Sequence, residues 1–188
     1  MDDKGNSRPE RLFIGVPVSA DAREAIARKL PKNLPGKPVA LDKWHFTLRF
    51  LGSTNREARD SILSRLSAAK LGPQFRVCFG GLGAFPSPRR ARILWLGVTQ
   101  GGDRLSELAA IAEDAARNAG FAAEGRGFTA HLTVSRLDPP QSVVELLAQN
   151  HSYDAETLVS SLILYRSQLG GGPSRYEEVA RFPLEATR

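Results

Sequence analysis

Cysteine is almost absent from this sequence, and that scarcity excludes several classes of protein. The 188 residues include one cysteine, Cys78, so neither an internal disulfide nor a cysteine-based zinc cluster can form. The three histidines could hold a metal only with help from carboxylates. No apolar run approaches the roughly 18 residues of a transmembrane helix. The first ten residues are polar, so we expect no secretory signal and a cytoplasmic location.

The composition is that of one compact globular domain. Apolar residues make up 41% of the chain and charged residues 24%, a balance too apolar for a disordered protein. The length is sufficient to bury a core without disulfides or metals. We expect residues 1–10 to be a flexible tail and residues 11–188 to form a single bilobal domain. A monomer is expected.

Positive charge exceeds negative charge, and arginine supplies most of it. The formal net charge is +6, with 26 lysines and arginines against 20 acidic residues. Arginine binds phosphate oxygens through two parallel hydrogen bonds, so an acidic partner such as RNA is one interpretation. A coding bias toward arginine is the other. The basic residues are scattered, and no polybasic tail is present.

The order of elements predicts an α+β fold with an internal near-symmetry. Apolar runs and alternations predict strands and helices in the order β-α-β-α-β-β-α-β-α-β-β, with final strands over 156–165 and 175–184. Ser19 is expected to cap the first helix. No glycine-rich phosphate loop follows the first strand, which argues against a doubly wound fold. We expect no cofactor. Each half offers a helix, a histidine-bearing strand, a helix and paired strands.

The near-symmetry is strongest in two short segments. His45-Phe46-Thr47-Leu48 and His131-Leu132-Thr133-Val134 share the pattern His-apolar-Thr-aliphatic. Threonine is uncommon in the chain, so a threonine two places after two of the three histidines rarely arises by chance. A single His-x-Thr would more often be an ordinary strand segment, but the pair in matching context indicates function.

Strand geometry predicts which side chains of each segment lie together. Alternation would put His45, Thr47 and Arg49 on one face of the first strand. Phe46, Leu48 and Phe50 would lie on the opposite face, packed on a helix. By the same rule His131, Thr133 and Ser135 would share a face, backed by Leu132 and Val134. Each strand therefore offers a titratable face and an apolar one.

The paired motifs suit acid–base chemistry at a phosphate. Histidine acts as acid or base near neutral pH. Two imidazoles on either side of a phosphate could activate a water and protonate a leaving oxygen. The two threonine hydroxyls could hydrogen-bond the phosphoryl oxygens and stabilise developing charge. A 2′,3′-cyclic phosphate fits this arrangement because its leaving group is a sugar hydroxyl that needs a proton.

In this pattern the sequence resembles the 2H phosphoesterase superfamily, whose members carry two His-x-Thr/Ser-x motifs on a bilobal, pseudo-two-fold α+β fold. Flanking segments make it similar to the bacterial and archaeal RNA 2′,3′-cyclic phosphodiesterases, also called 2′-5′ RNA ligases. The segments that carry the resemblance are 11–17, 44–52, 85–86, 93–98, 128–136 and 164–167, with Tyr176. The resemblance implies two antiparallel sheets facing a central cleft, helices outside, and metal-independent hydrolysis of RNA 2′,3′-cyclic phosphate ends.

The resemblance also implies a role for each site residue. His45 would donate a proton to the 3′ oxygen and His131 would accept one from water, leaving a 2′-phosphate; the residues alone leave this orientation open. Thr47, Thr133 and Arg136 would bind the phosphate. Strict alternation would aim Arg136 away from His131, so its role requires a strand end or a bulge. The alternative for Arg136 is an ion pair at the surface.

Three other functions remain open at this point. The chain could act on a small nucleotide cyclic phosphate, could catalyse reversible 2′-5′ RNA ligation, or could bind a nucleotide or RNA without catalysis. Among other residues, Trp95 is expected in the core and His151 in a surface loop. Trp44 is expected to be structural. Phe85 and Phe128 could stack on a base or pack inside the protein.

Overall fold

The computed structural model describes residues 9–149, 153–168 and 175–186. Within these ranges the strands are β1 (Glu10–Pro17), β2 (Lys37–Pro38), β3 (His45–Thr54), β4 (Phe75–Phe85), β5 (Ala91–Gln100), β6 (Leu132–Gln141), β7 (Glu156–Val159), β8 (Ser161–Gln168) and β9 (Arg175–Pro183). The helices are α1 (Ala20–Lys29), α2 (Arg56–Ala68), α3 (Gly102–Asn118) and α4 (Val144–Ala148). The predicted α+β class is confirmed. No helix in these ranges is both long and apolar enough to span a bilayer.

The strands form one antiparallel sheet with two four-stranded halves. The order across the sheet is β7-β4-β5-β6-β3-β1-β8-β9, and β2 pairs with β6 at its side. The two sheets expected from the resemblance are the two halves of this one sheet, β7-β4-β5-β6 and β3-β1-β8-β9. The first histidine motif begins β3, and the second runs from His131 into β6, so each lies at the innermost strand of its half and the fold brings the two motifs together.

The two halves are joined through a single residue pair. Strands β3 and β6 meet where Phe46 lies opposite Leu132. These are the residues that directly follow the two motif histidines, and both side chains are fully buried. Phe46 also stacks on Phe79 of β4, with ring centroids 5.6 Å apart. The apolar position of each motif therefore fixes how the two motifs are aligned.

Both motif strands carry an extra residue at the same place, and this overturns part of the predicted alternation. Against β1, Thr47 pairs with Gly15 and Arg49 with Ile14, so Leu48 is the extra residue of β3. Against β5, the paired residues of β6 skip from position 133 to position 135, so Val134 is the extra one. A bulge of this kind reverses which face the following side chains occupy.

The reversal corrects three predictions. Arg49 and Ser135 do not share a face with the histidines, and both are buried. Ser135 donates a hydrogen bond to the carbonyl oxygen of Pro35 at 2.6 Å. Phe50, expected to pack on a helix, pairs with Phe13 on the cleft face and is 59% exposed.

The last third of the chain also differs from prediction. The expected strand over 156–165 is two strands separated at Ser160. The break has a topological cause, because β7 pairs with β4 in one half while β8 pairs with β1 in the other.

At the N-terminal end of the chain, Glu10 is not part of a tail: it begins β1, and its carboxylate contacts Arg59 and Arg166. Residues 1–8 lie outside the described ranges.

Helices α1 and α2 begin where the sequence predicts, and the helices pack against the sheet. The Ser19 hydroxyl accepts a hydrogen bond from the amide of Ala22 at the start of α1, which confirms the predicted cap. The side chain of Asn55 caps α2 in the same way. Helix α3 contacts β3 and β5 and buries an apolar stripe of Leu105, Leu108, Ala109, Ala112, Ala115 and Ala116.

Two glycines leave room for rings on the cleft face. A Cβ at Gly83 would lie 2.3 Å from atoms of the Trp95 ring, which crosses it from β5. A Cβ at Gly15 would lie 2.9 Å from the carbonyl oxygen of Phe46 and 3.3 Å from the His45 ring. Cβ atoms do not tolerate approaches below 3.0 Å, so the missing side chain at Gly83 makes room for the Trp95 ring, and the one at Gly15 makes room for the Phe46 carbonyl beside the His45 ring.

Substitution of Gly83 tests this packing. We expect Gly83→Ala to displace the Trp95 ring and to lower the free energy of unfolding by about 1–3 kcal/mol, as in other overpacked sites. Gly125→Ala is the matched control because a Cβ there has no neighbour within 4 Å. Urea unfolding and tryptophan fluorescence measure both effects. Equal stability of the two variants would contradict the packing account.

Candidate active site

The two motif histidines are held in the same way. The Nδ1–H of His45 donates to the carbonyl oxygen of Lys43 at 2.7 Å, and the Nδ1–H of His131 donates to that of Thr129, also at 2.7 Å. In each case the acceptor lies two residues earlier in the chain. Because a carbonyl only accepts, both neutral rings carry their proton on Nδ1. The Nε2 atoms are therefore the ones left for chemistry.

The strand register brings the two rings to one site. With Phe46 opposite Leu132, His45 lies across from Thr133, and Thr47 lies across from His131. The two histidines are then diagonal neighbours, which on a sheet surface stand about 7–8 Å apart. The positive charge of His131 lowers the pKa of His45, in agreement with this proximity. In the free protein the Thr47 hydroxyl is 2.9 Å from Nε2 of His45.

Each imidazole lies against its own aromatic group. The His45 ring centroid is 4.8 Å from that of Phe13, 5.9 Å from Tyr165 and 5.3 Å from Tyr176. The His131 ring meets Phe85 edge-on at 5.2 Å and Trp95 at 6.2 Å. These rings exclude water from one side of each histidine. Trp95 is thus half-buried beside the cleft, and its predicted place in the core is wrong.

Burial disfavours the charged form of both histidines. It lowers the pKa of His45 to about 4, with smaller lowering from the charges of Arg136 and His131, against an opposing hydrogen bond to Lys43. Burial also lowers the pKa of His131, and the charge of Arg136 adds to this. At neutral pH both rings of the free protein are therefore uncharged, and both Nε2 atoms can accept a proton.

The bulge at Val134 sets the face of β6 on which Arg136 lies. Arg136 follows the extra residue of β6, pairs with Ile93 and is exposed. Its charge lowers the pKa of both histidines. Within the described ranges it forms no ion pair, which argues against the alternative of a surface ion pair. A cation beside two neutral imidazoles is suited to bind an anion.

A cavity of about 410 Å³ opens beside the motifs. Thr47 and His131 line it, together with Phe50 and Phe128, and the cavity extends to α3, where Arg49 and Glu113 also line it. It is larger than a phosphate alone requires, which leaves room for a nucleoside. No group of three histidines, cysteines or carboxylates suited to a metal ion occurs among the described residues.

A buried arginine ties the segment before His131 to the first motif strand. Arg49 forms ion pairs with Glu113 of α3 at 2.6 Å and with Glu124 at 2.7 Å. It also donates to the carbonyl oxygen of Ala122 at 2.6 Å. The segment 121–131 has no regular secondary structure, so these contacts fix its path toward the second motif. Sequence alternation misplaced Arg49, and no motif signalled this network.

The remaining predicted residues have simpler surroundings. Trp44 is buried and its Nε1–H donates to the carbonyl oxygen of Val39 at 3.0 Å, as expected of a structural residue. Phe85 packs on Trp95 at 5.0 Å, whereas Phe128 borders the cavity. His151 lies outside the described residues.

Removal of the Arg49 charge should destabilise the protein. We expect Arg49→Met to lower the free energy of unfolding by about 3 kcal/mol, because it leaves the partly buried Glu113 without its cation. Arg65→Met, which removes an exposed ion pair with Asp114, should cost less than about 1 kcal/mol. Urea unfolding of both variants measures the difference. A loss below 1 kcal/mol for Arg49→Met would contradict the role of the network.

Known proteins share this arrangement of strands. A crystal structure of Escherichia coli LigT complexed with 3′-AMP is 28% identical, covers 94% of this chain and 98% of its own, and superposes with a TM-score of 0.76. Among curated proteins, the RNA 2′,3′-cyclic phosphodiesterase of Archaeoglobus fulgidus is 34% identical over 149 residues, 77% of this chain and 82% of its own length. The enzyme of the same name from Escherichia coli K12 is 31% identical over 181 residues, 95% of this chain and 98% of its own.

The family model described as LigT like Phosphoesterase matches residues 14–95, which begin within β1 and contain the first histidine motif. The second histidine motif lies outside the matched residues. It belongs to the half of the sheet that contains β6, which pairs with β3 of the first motif. Together with the identity to the curated relatives, these findings show that the chain belongs to the LigT-like phosphoesterase family.

Proposed function

We propose that this protein hydrolyses RNA 2′,3′-cyclic phosphate ends to 2′-phosphomonoesters, with His45 as general acid and His131 as general base and without a metal ion. The observation that carries the proposal is the matched pair of imidazoles, each with Nδ1–H bonded to a backbone carbonyl and an unprotonated Nε2, which in His45 accepts from the Thr47 hydroxyl at 2.9 Å. The names of the relatives support the substrate class.

The reaction balances with these two groups alone. His131 Nε2 takes a proton from a water whose oxygen forms a bond to phosphorus. The bond between phosphorus and the 3′ oxygen breaks, and His45 Nε2–H supplies the proton that this oxygen needs. The product carries its phosphate on the 2′ oxygen. His45 ends neutral and His131 protonated, and exchange of one proton with solvent restores the starting state.

Because the pKa of His45 is lowered, the bound substrate must favour protonation of the His45 ring. In the free protein a pKa of about 4 leaves His45 neutral at pH 7. A bound phosphate diester brings one negative charge beside the ring, and an opposite charge at 4–6 Å raises a pKa by about one to three units. The imidazolium therefore forms with the substrate in place, in a site that aromatic rings shield from water.

The phosphate position follows from the other polar groups. Thr47 and Thr133 lie across from the histidines, and the charge of Arg136 lowers the pKa of both rings. Hydroxyl and guanidinium donors there stabilise the charge that builds on the phosphoryl oxygens as water attacks. The cavity beside Thr47 and His131 holds the nucleoside.

Two alternatives share this site. A small nucleotide cyclic phosphate would use the same acid–base pair, and so would reversible 2′-5′ ligation, with a 2′ or 3′ hydroxyl in place of the water. A module that only binds RNA has no use for two neutral imidazoles presenting the same nitrogen, which favours catalysis. The monomeric state and the cytoplasmic location stay predictions of the sequence.

Substitution of the histidines tests the proposal directly. We expect His45→Ala and His131→Ala each to lower kcat by about 10²–10⁴-fold on an RNA ending in a 2′,3′-cyclic phosphate, because each removes one proton transfer. The double variant should be little worse than either single one, since the two groups act in one displacement.

Threonine variants provide the graded comparison. Thr47→Val and Thr133→Val keep the shape of the side chain and should cost about 1–3 kcal/mol of transition-state stabilisation. Thr99→Val, at the exposed end of β5, is the control and should be neutral. A histidine variant that retains activity within tenfold of wild type would overturn the acid–base assignment.

The pH dependence supplies an independent test. Burial lowers both histidine pKa values below 6.5, so the bell-shaped profile of kcat/KM, which reports the free protein, should be centred below pH 6.5. The profile of kcat should lie about one to three units higher, because the bound anion stabilises the imidazolium. Each His→Ala variant should lose one limb. A kcat/KM profile centred above about pH 7 would contradict this account.

A further inference from the structure

Phe50 is a large apolar side chain with no structural reason to be exposed. It follows the bulge of β3, which turns it onto the cleft face, where its ring is 6.0 Å from that of Phe13. It is 59% exposed, whereas Phe13 and Phe46 are buried. The residue at the matching place in the second motif strand is Arg136, which also faces the cleft. The same bulge thus presents a cation on one strand and an aromatic ring on the other.

Phe50 stands between two cavities. The larger, about 410 Å³, contains Thr47 and His131. The smaller, about 180 Å³, is lined by Arg11, Ser167 and Tyr176 as well as by Phe50 and Phe13. Phe50 lines both, so a ligand that leaves the larger cavity on this side meets the Phe50 ring first.

We propose that the smaller cavity binds the nucleobase of the penultimate nucleotide of the RNA, stacked on Phe50. This inference rests on the proposed function. The reacting phosphate must reach His131 and Thr47, so the terminal nucleoside occupies the larger cavity. The preceding nucleotide then extends past Phe50. An exposed aromatic face binds any base by stacking, so the contact selects for chain length and tolerates any sequence.

A positive charge at the smaller cavity is suited to bind the phosphate that joins the two nucleotides. Arg11 is exposed and forms no ion pair with any other described residue. By contrast, Arg166 on the neighbouring strand is held by Glu10 and Glu177. Arg11 is therefore available to a phosphate oxygen at the rim of this cavity. An apolar peptide would leave this cation unused, which favours a nucleotide as the occupant.

Two substrates that differ by one nucleotide test the proposal. Adenosine 2′,3′-cyclic phosphate fills only the larger cavity, whereas the dinucleotide ApA with a 2′,3′-cyclic phosphate end fills both. We expect Phe50→Ala to lower kcat/KM for the dinucleotide by about 5- to 100-fold, the loss of one stacked base. Because Phe50 also borders the larger cavity, activity on the mononucleotide should fall as well but by less, so that the ratio of dinucleotide to mononucleotide kcat/KM drops at least about fivefold.

Further variants separate stacking from bulk and from folding. Phe50→Trp should restore dinucleotide activity, and Phe50→Leu, which keeps apolar bulk, should not. Arg11→Gln should reduce the slope of log kcat/KM against log salt for the dinucleotide by about 0.7, the loss of one single-strand phosphate contact. Leu158→Ala, an exposed apolar residue on β7 at the far edge of the sheet, should change neither substrate.

The outcomes distinguish this inference from the function on which it rests. If wild type cleaves neither cyclic phosphate, the proposed function fails and the subsite fails with it. If wild type cleaves both and Phe50→Ala lowers them equally, or lowers neither, the subsite alone is overturned. If Phe50→Ala changes the oligomeric state while the ratio of the two activities stays the same, the ring belongs to a protein interface, and the subsite proposal is again overturned.

Discussion

The pairing of Phe46 with Leu132 is the constraint on which the rest of the site depends. It is the one point where β3 and β6 meet within the described part of the chain. Because each residue directly follows a motif histidine, this pair decides that the histidines lie diagonally across one cleft. A register shift of one residue would turn one motif into the core and would leave the other without a partner.

The bulges and the aromatic rings then give the site its chemistry. The extra residues Leu48 and Val134 bring Phe50 and Arg136 to the cleft and send Arg49 to the helix side. Burial against these rings lowers the pKa of both histidines, so the free protein presents two neutral bases. The asymmetry between acid and base is created by the bound anion, in an otherwise matched pair.

The sequence predicted the α+β class and the first two helix starts, because periodicity and caps are local properties. It indicated the His-x-Thr pairs because they repeat. It could not predict the bulges, since nothing in the residues around Leu48 marks one, and strict alternation therefore misplaced Arg49 and Phe50. Trp95 was misplaced for a related reason: its neighbours are apolar, and only the facing Gly83 shows that the ring lies on the cleft side.

One measurement tests the central claim most directly: a short RNA with a 2′,3′-cyclic phosphate end is incubated with the protein in excess EDTA, and the product is resolved as the 2′- or 3′-phosphate. The paired-histidine account predicts an undiminished rate and a 2′-phosphate product, because both proton transfers come from imidazoles. A 3′-phosphate product would contradict the assigned orientation. Turnover that requires a divalent ion would contradict the mechanism itself.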